Sequence, residues 1–275
     1  TLDVNGNVTV DLDHFSNNTF TTVIVGGQTT TIQSIRDEVI CADAALGGDS
    51  TFTVETATGY STTVALKLKG SSAIDFANDF ALAGVEILNL ESDNSNSVIT
   101  SGIAHTVNLD LTTGTTLNIT GDAGLIVQNT TNDYDLITTV DASGMVLGAS
   151  TYAGLTFASD GNVAGSALTI TGSNGIDTLT GGILVTDTFT GGAGADVFNY
   201  TGGNDVYTGG AGSDVYHYNA GVTTDNGTAT VFLTIADFAT GDSIDFTNVS
   251  TNQTSGNNLA TDTDGIGSAI SLAST

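Results

Sequence analysis

Proline is absent from all 275 residues, cysteine occurs once, and only three side chains are basic: Arg36, Lys67 and Lys69. Each shortage excludes something. A lone Cys41 allows no internal disulfide. Three cations against 30 carboxylates leave a formal net charge of -27. That balance argues against nucleic acid, whose phosphates are neutralised by Lys and Arg, and against insertion into or binding to an anionic membrane surface. No apolar run approaches the roughly 18 residues of a membrane-spanning helix. No basic segment followed by an apolar one opens the chain, as a secretory leader would require. The chain begins at Thr1 and reads as a processed piece or an expressed fragment.

Disorder does not account for this acidity. Apolar residues make up 39% of the chain and the mean hydropathy is slightly positive, too apolar for a chain held open by charge. A compact fold carrying -27 repels itself. Bound divalent cations are the natural remedy, and their uptake would be linked to folding.

What is abundant is glycine and aspartate in register. Between Gly172 and His217 a nine-residue unit recurs, complete in Gly191-Gly192-Ala193-Gly194-Ala195-Asp196-Val197-Phe198-Asn199 and in Gly209-Gly210-Ala211-Gly212-Ser213-Asp214-Val215-Tyr216-His217. Degenerate copies place Asp177, Asp187 and Asp205 on nearly the same spacing, with ten residues rather than nine between Asp177 and Asp187. Glycine reaches positive φ without a Cβ clash, so Gly-Gly-x-Gly can turn sharply and aim its carbonyls inward. The aspartate adds a carboxylate beside them. Calcium takes six to eight hard oxygen ligands and mixes these two kinds freely. The candidate metal loops are therefore Gly175 with Asp177, Asp187, Gly192 and Gly194 with Asp196, Gly203 with Asp205, and Gly210 and Gly212 with Asp214. Two residues after each aspartate stands a large apolar residue: Leu179, Phe189, Phe198, Tyr207 and Tyr216. A flexible Gly/Asp linker would have no reason to place them so. A short strand would, because its side chains alternate and this one points inward.

The residues before the repeat read as short strands cut by Gly, Asn, Asp and Ser, such as Val85-Glu86-Ile87-Leu88-Asn89-Leu90, Leu117-Asn118-Ile119 and Leu168-Thr169-Ile170. Threonine is frequent and suits a pleated surface. The favoured fold is all-β, a right-handed parallel β-solenoid running into the repeat region. A β-sandwich followed by a roll is the rival. Ile32, Ile35, Val39 and Leu46 fall near one face of a helix over 31–46, and 73–82 is a second, shorter helical candidate. The predicted layout is a capping or small α+β unit at 1–70, a Thr-rich solenoid at 71–171, the repeat roll at 172–218 and a closing segment at 219–275. Asp93-Asn94-Ser95-Asn96 and Asp160-Gly161-Asn162 read as turns rather than additional calcium loops.

The nonapeptides resemble the calcium-binding repeats of the RTX family. That resemblance implies a β-roll in which two units make one coil and calcium ions, several in all, sit between loops stacked on the same side. Asp196 would then share an ion with Asp214, Asp187 with Asp205, and Asp177 would face Asp196. The block Ile235-Ala236-Asp237-Phe238-Ala239-Thr240-Gly241-Asp242-Ser243-Ile244-Asp245-Phe246 resembles the segment that closes such rolls. It makes Asp237, Asp242 and Asp245 candidates for further metal contacts, against an ordinary turn-forming role. The family resemblance also implies an uncleaved type I secretion signal in 248–275 and an extracellular address.

RTX tails are often joined to enzymes, yet the chain has no H-E-x-x-H and no G-x-S-x-G. His14, His105 and His217 are scattered, and Cys41 between Ile40 and Ala42 reads as a buried structural thiol. No catalytic residue is expected. Together with the repeats, the Thr-rich stretch 84–180 resembles bacterial surface-layer proteins that end in RTX repeats. The resemblance implies a structural protein that folds on calcium outside the cell and assembles with itself into a lattice. A cell-surface polysaccharide is a further expected partner, through a part that the sequence does not identify. An RTX adhesin module, or the secretion tail of a larger exported enzyme, are the alternatives.

Overall fold

The computed structural model describes residues 63–95, 102–128 (save 112), 136–159, 166–218 (save 183 and 184) and 233–245. It also describes strand segments within 2–56 and at 270–272. The described chain is all-β. Successive strands alternate between two sheets, one of 12 strands and one of 11, so one strand from each sheet makes a coil. Every pairing within the sheets is parallel, as in Val64 beside Leu88 and Phe198 beside Tyr216. A parallel solenoid is the result, and parallel pairing throughout excludes the sandwich.

Alternation builds the core. In Thr63–Gly70 the buried residues are Val64, Leu66, Leu68 and Gly70, while Lys67 and Lys69 lie outward. Register then carries each inward position into a row along the stack. One row runs Val64, Leu88, Leu117, Val140, Ile170, Phe189, Tyr207 and Ile235. The opposing sheet contributes Val107, Val127, Phe157, Leu179, Phe198, Tyr216 and Ile244. All but Ile244 are buried. Each such side chain contributes about 1.5–3 kcal/mol by leaving water. The outward rows hold threonine in register, as at Thr116, Thr139, Thr169 and Thr188.

In the repeat region the inward rows become aromatic. Phe189 stacks on Tyr207 at 4.5 Å and Phe198 on Tyr216 at 5.1 Å. Across the core the two rows meet edge to face, with Phe198 at 5.4 Å from Tyr207. Both geometries suit the ring quadrupole. The large residue two after each aspartate thus points inward, as its spacing requires.

The N-terminal expectation needs correction. Among the described residues there is no α-helix, and the segments read as helical are strands: Thr29–Ile35, Val39–Asp43 and Asp75–Ala83. They join the same two sheets as the rest, Ile40 lying beside Leu66 and Phe80 beside Leu109. The cause is bulging. Ile32 and Ile35 are three apart, yet their partners Val54 and Thr56 are two apart. Phe76 and Asp79 are three apart, yet they face the adjacent Val107 and Asn108. A bulge inserts extra residues into one strand of a pair, and it gives a strand the spacing of a helix. Cys41 accordingly sits in a strand, beside Ile24 and Lys67.

Candidate metal centre

Each repeat aspartate stands at or just before the start of a strand, one residue ahead of an outward position. Asp196 precedes Val197–Tyr200, Asp214 precedes Val215–Tyr218, Asp187 precedes Thr188–Ala193 and Asp205 precedes Val206–Ala211. Alternation then turns the carboxylates inward at the rim of the core, and Asp177, Asp187, Asp196, Asp205 and Asp214 are all fully buried. A buried carboxylate is costly unless donors or cations surround it.

The coils bring together the pairs that the family resemblance implies. The backbone N–H of Asp177 donates to Oδ1 of Asp196 at 2.8 Å, that of Asp196 to Asp214 at 2.9 Å, and that of Asp187 to Asp205 at 2.9 Å. Asp177 keeps its place in the column despite the extra residue.

Asp177, Asp196 and Asp214 share one edge of the roll; Asp187 and Asp205 share the other. The two edges differ in what holds Oδ2. On the second edge, Gly182 N–H donates to Oδ2 of Asp187 and the Tyr207 hydroxyl donates to Oδ2 of Asp205. On the first edge, Ser173 serves Asp177 through its N–H and hydroxyl. Oδ2 of Asp196 and Oδ2 of Asp214 are buried with no hydrogen-bond partner.

A glycine carbonyl completes the surroundings of the first of those oxygens. Oδ2 of Asp196 and the Gly209 carbonyl oxygen both lie within 2.6 Å of where a Cβ on Gly191 would stand. Gly192 and Gly210 have φ of 117° and 97°, a region where side chains are strained. A Cβ there would overlap the carbonyls of Ser173 and Gly192. Gly212, Gly194 and Gly175 stack in the same way, each later residue against the carbonyl of the earlier one. On the second edge Gly203 (φ 91°) sits against the Val185 carbonyl and Asp205 Oδ1. Only loops without side chains allow coils to approach this closely and expose their carbonyls.

Burial, more than any other influence, raises the carboxyls. Asp177 is pushed up to about 6, Asp196 and Asp205 to about 7, and Asp187 and Asp214 also rise. The neighbouring carboxylates Asp177 and Asp214 raise Asp196 further. Among the described residues no three His, Cys, Asp or Glu side chains group as a ligand set. The donor set on offer is a few carboxylate oxygens with backbone carbonyls. Such hard oxygen donors fit calcium better than zinc or copper.

The closing segment continues the ladder. Oδ1 of Asp242 accepts the Asp214 N–H at 2.9 Å and Oδ2 accepts the Ala239 N–H at 2.7 Å. Asp237 accepts the N–H groups of Gly209 and Gly210, both at 2.8 Å. These carboxylates satisfy the backbone of the last coil. Asp245 lies beside His217 in register, and its Oδ2 is 2.9 Å from His217 Nδ1. That pair is on the outward face, away from the rim aspartates.

His105 belongs to the same construction, although nothing in its spacing marks it. It is fully buried, and Nδ1 accepts the Ile74 N–H at 3.2 Å while Nε2 lies 3.1 Å from the Asp93 carbonyl oxygen. Its neighbour in register is Leu125, followed by Leu155, whose N–H is bonded by Asp177. His105 therefore holds the preceding coil as the aspartates do, from the same column. His14, residues 160–162 and most of the tail 248–275 lie outside the described residues; Ile270–Leu272 pairs with Leu233–Ile235.

The fold and rim together define an all-β parallel solenoid with an acid-lined edge. No family model matches this chain, and no curated protein matches it either.

Proposed function

We propose that this chain is a calcium-dependent structural protein of the bacterial cell surface, an RTX-type surface-layer protein that folds outside the cell and assembles with itself. The observation that carries the calcium reading is the pair of buried, unpartnered Oδ2 atoms of Asp196 and Asp214, the first of them beside the Gly209 carbonyl. Asp177, Asp196 and Asp214 would hold the ions, with the carbonyls of Gly191 and Gly209. Bound calcium supplies positive charge that offsets the buried carboxylates and part of the -27.

Extracellular calcium modules bind at about 10⁻⁴–10⁻³ M, so low cytosolic calcium would leave the fold weak enough to open for export and higher external calcium would stabilise it. Assembly is supported by the outward rows of threonine and valine in register, among them Val197 beside Val215 and Val206 beside Thr188. The reading assigns no catalytic residue. Circular dichroism and thermal melting with calcium and with EGTA test the folding step; an unchanged β signal and melting temperature on chelation would sink it. Electron microscopy in calcium tests assembly, where persistent monomers at high concentration would remove the lattice and favour an adhesin module.

A further inference from the structure

The first edge repeats one pair of oxygens from coil to coil, and the repeat changes at the last coil. Beside Gly172 the space that a Cβ would fill is lined by Asp177 Oδ2 and the Gly191 carbonyl oxygen. Beside Gly191 it is lined by Asp196 Oδ2 and the Gly209 carbonyl oxygen. In both cases the second oxygen comes from the glycine one coil further on. Gly209 has no glycine successor: the following coil passes through Ala236 and Asp237, whose carboxylate takes the Gly209 N–H, and no carbonyl is among the atoms nearest the Gly209 Cβ position. There the oxygens nearest the same space are Asp214 Oδ2 and the Tyr216 hydroxyl, both within 2.6 Å of the Cβ position.

Three further observations separate Tyr216 from an ordinary core tyrosine. It is 1% exposed, and its hydroxyl has no hydrogen-bond partner, nor has Asp214 Oδ2. Its neighbour in register, Phe198, has the same inward place in the coil where the glycine carbonyl is present, and carries no hydroxyl. Tyr207 in the opposing row does carry one, but donates it to Asp205 Oδ2 at 3.1 Å. A buried phenol without a partner is unfavourable relative to a satisfied one, so phenylalanine would serve packing alone better at 216.

We propose that the Tyr216 hydroxyl is an oxygen ligand of the terminal cation position, standing in for the glycine carbonyl that the next coil does not provide. This rests on the calcium reading. A phenol oxygen is neutral like a carbonyl, and hard enough for calcium. The ring holds it in place, stacked on Phe198 and against Phe238 at 6.3 Å, so little ordering is needed on binding.

The test is calorimetric titration of calcium into the whole chain and its Y216F and Y207F variants, with near-ultraviolet difference spectra taken alongside. For Y216F the expected result is loss of about tenfold in affinity at one site, the scale of one lost polar contact, with the EGTA melting temperature unchanged or higher. Calcium should perturb tyrosine absorption in the parent and in Y207F, and that perturbation should shrink in Y216F. Parental stoichiometry, affinity and spectrum in Y216F would overturn the assignment while leaving the calcium reading intact. No calcium uptake by the parent chain would overturn both. The spectral change in the parent is read without any variant, so poor folding of Y216F would not protect the proposal: a parent that binds calcium with no tyrosine perturbation refutes it.

Discussion

The backbone N–H of Asp196 donates to Oδ1 of Asp214 across adjacent coils at 2.9 Å. That bond fixes one oxygen of the carboxylate and leaves the other, Oδ2, buried without a donor. The arrangement is costly for a bare chain and favourable for one holding a cation. D196N and D214N should therefore separate the two states. Each removes a buried charge, so melting in EGTA at pH 8 should be unchanged or higher. Each should also lose most of the rise in melting temperature that calcium gives the parent. Differential scanning calorimetry in both conditions checks this, and a full calcium response in D214N would contradict it.

The edges should load unequally. Both oxygens of Asp187 and of Asp205 already accept donors, from Leu168, Gly182, Asp187 and Tyr207. Calcium on that edge must displace the Tyr207 hydroxyl or share its oxygen. The calcium midpoint of folding should accordingly move about tenfold or more in D214N, near 1.4 kcal/mol, and distinctly less in D205N. A calcium titration followed by circular dichroism measures both shifts.

Stability should depend on pH with opposite signs in the two states. Burial raises Asp177 to about 6 and Asp196 and Asp205 to about 7, from an ordinary 3.8. Without cation, carboxyls with raised values stabilise the fold below the unfolded value, and that contribution is lost as pH climbs through 6–7. The self-repulsion of a -27 chain acts in the same direction. With calcium the same carboxyls must be ionised to bind, so affinity should rise over that window. Melting temperatures between pH 4.5 and 8 should fall in EGTA and rise in saturating calcium. Parallel curves would refute the linkage.

Packing can be probed apart from the metal. Phe198 is 1% exposed and contacts Tyr216, Tyr207 and Phe189. F198A should cost about 3–5 kcal/mol, read as a lower urea midpoint in saturating calcium. V197A, on the half-buried outward row one residue away, should cost far less.

The repeat region was legible because two periods coincide there. The nine-residue frame sets the turns, and the apolar residue two after each aspartate sets the face, so strands, inward rows and acidic pairs all follow from spacing. Asp237 and Asp242 were legible as members of the closing block. Their role as acceptors for the last coil depends on which oxygen each backbone N–H meets, and spacing does not carry that. The N-terminal strands were misread where bulges at Ile32–Ile35 and Phe76–Asp79 replaced a period of two by three. His105 was invisible for a different reason: its column continues through Leu125 and Leu155, which interrupt the chemistry between it and Asp177.

Coil length also differs between the roll and its surroundings. Asp196 and Asp214 are 18 residues apart, as are Asp187 and Asp205. The same step takes 22 residues from Leu155 to Asp177, 28 from Asp214 to Asp242 and 31 from Ile74 to His105. In the 22- and 28-residue steps the surplus lies between the strands, while in the 31-residue step the longer strands Asp75–Ala83 and Ile87–Asn94 take up part of it. Outside the roll, an inserted segment can leave at its own level while the coils above and below keep their pairing. From Gly191 to Asp214 the 18-residue step leaves the turns little slack, whereas the one extra residue between Asp177 and Asp187 is absorbed with Asp177 still in the column. Grafted loops, tags and epitopes should therefore be accepted at the long turns and refused between Gly191 and Asp214.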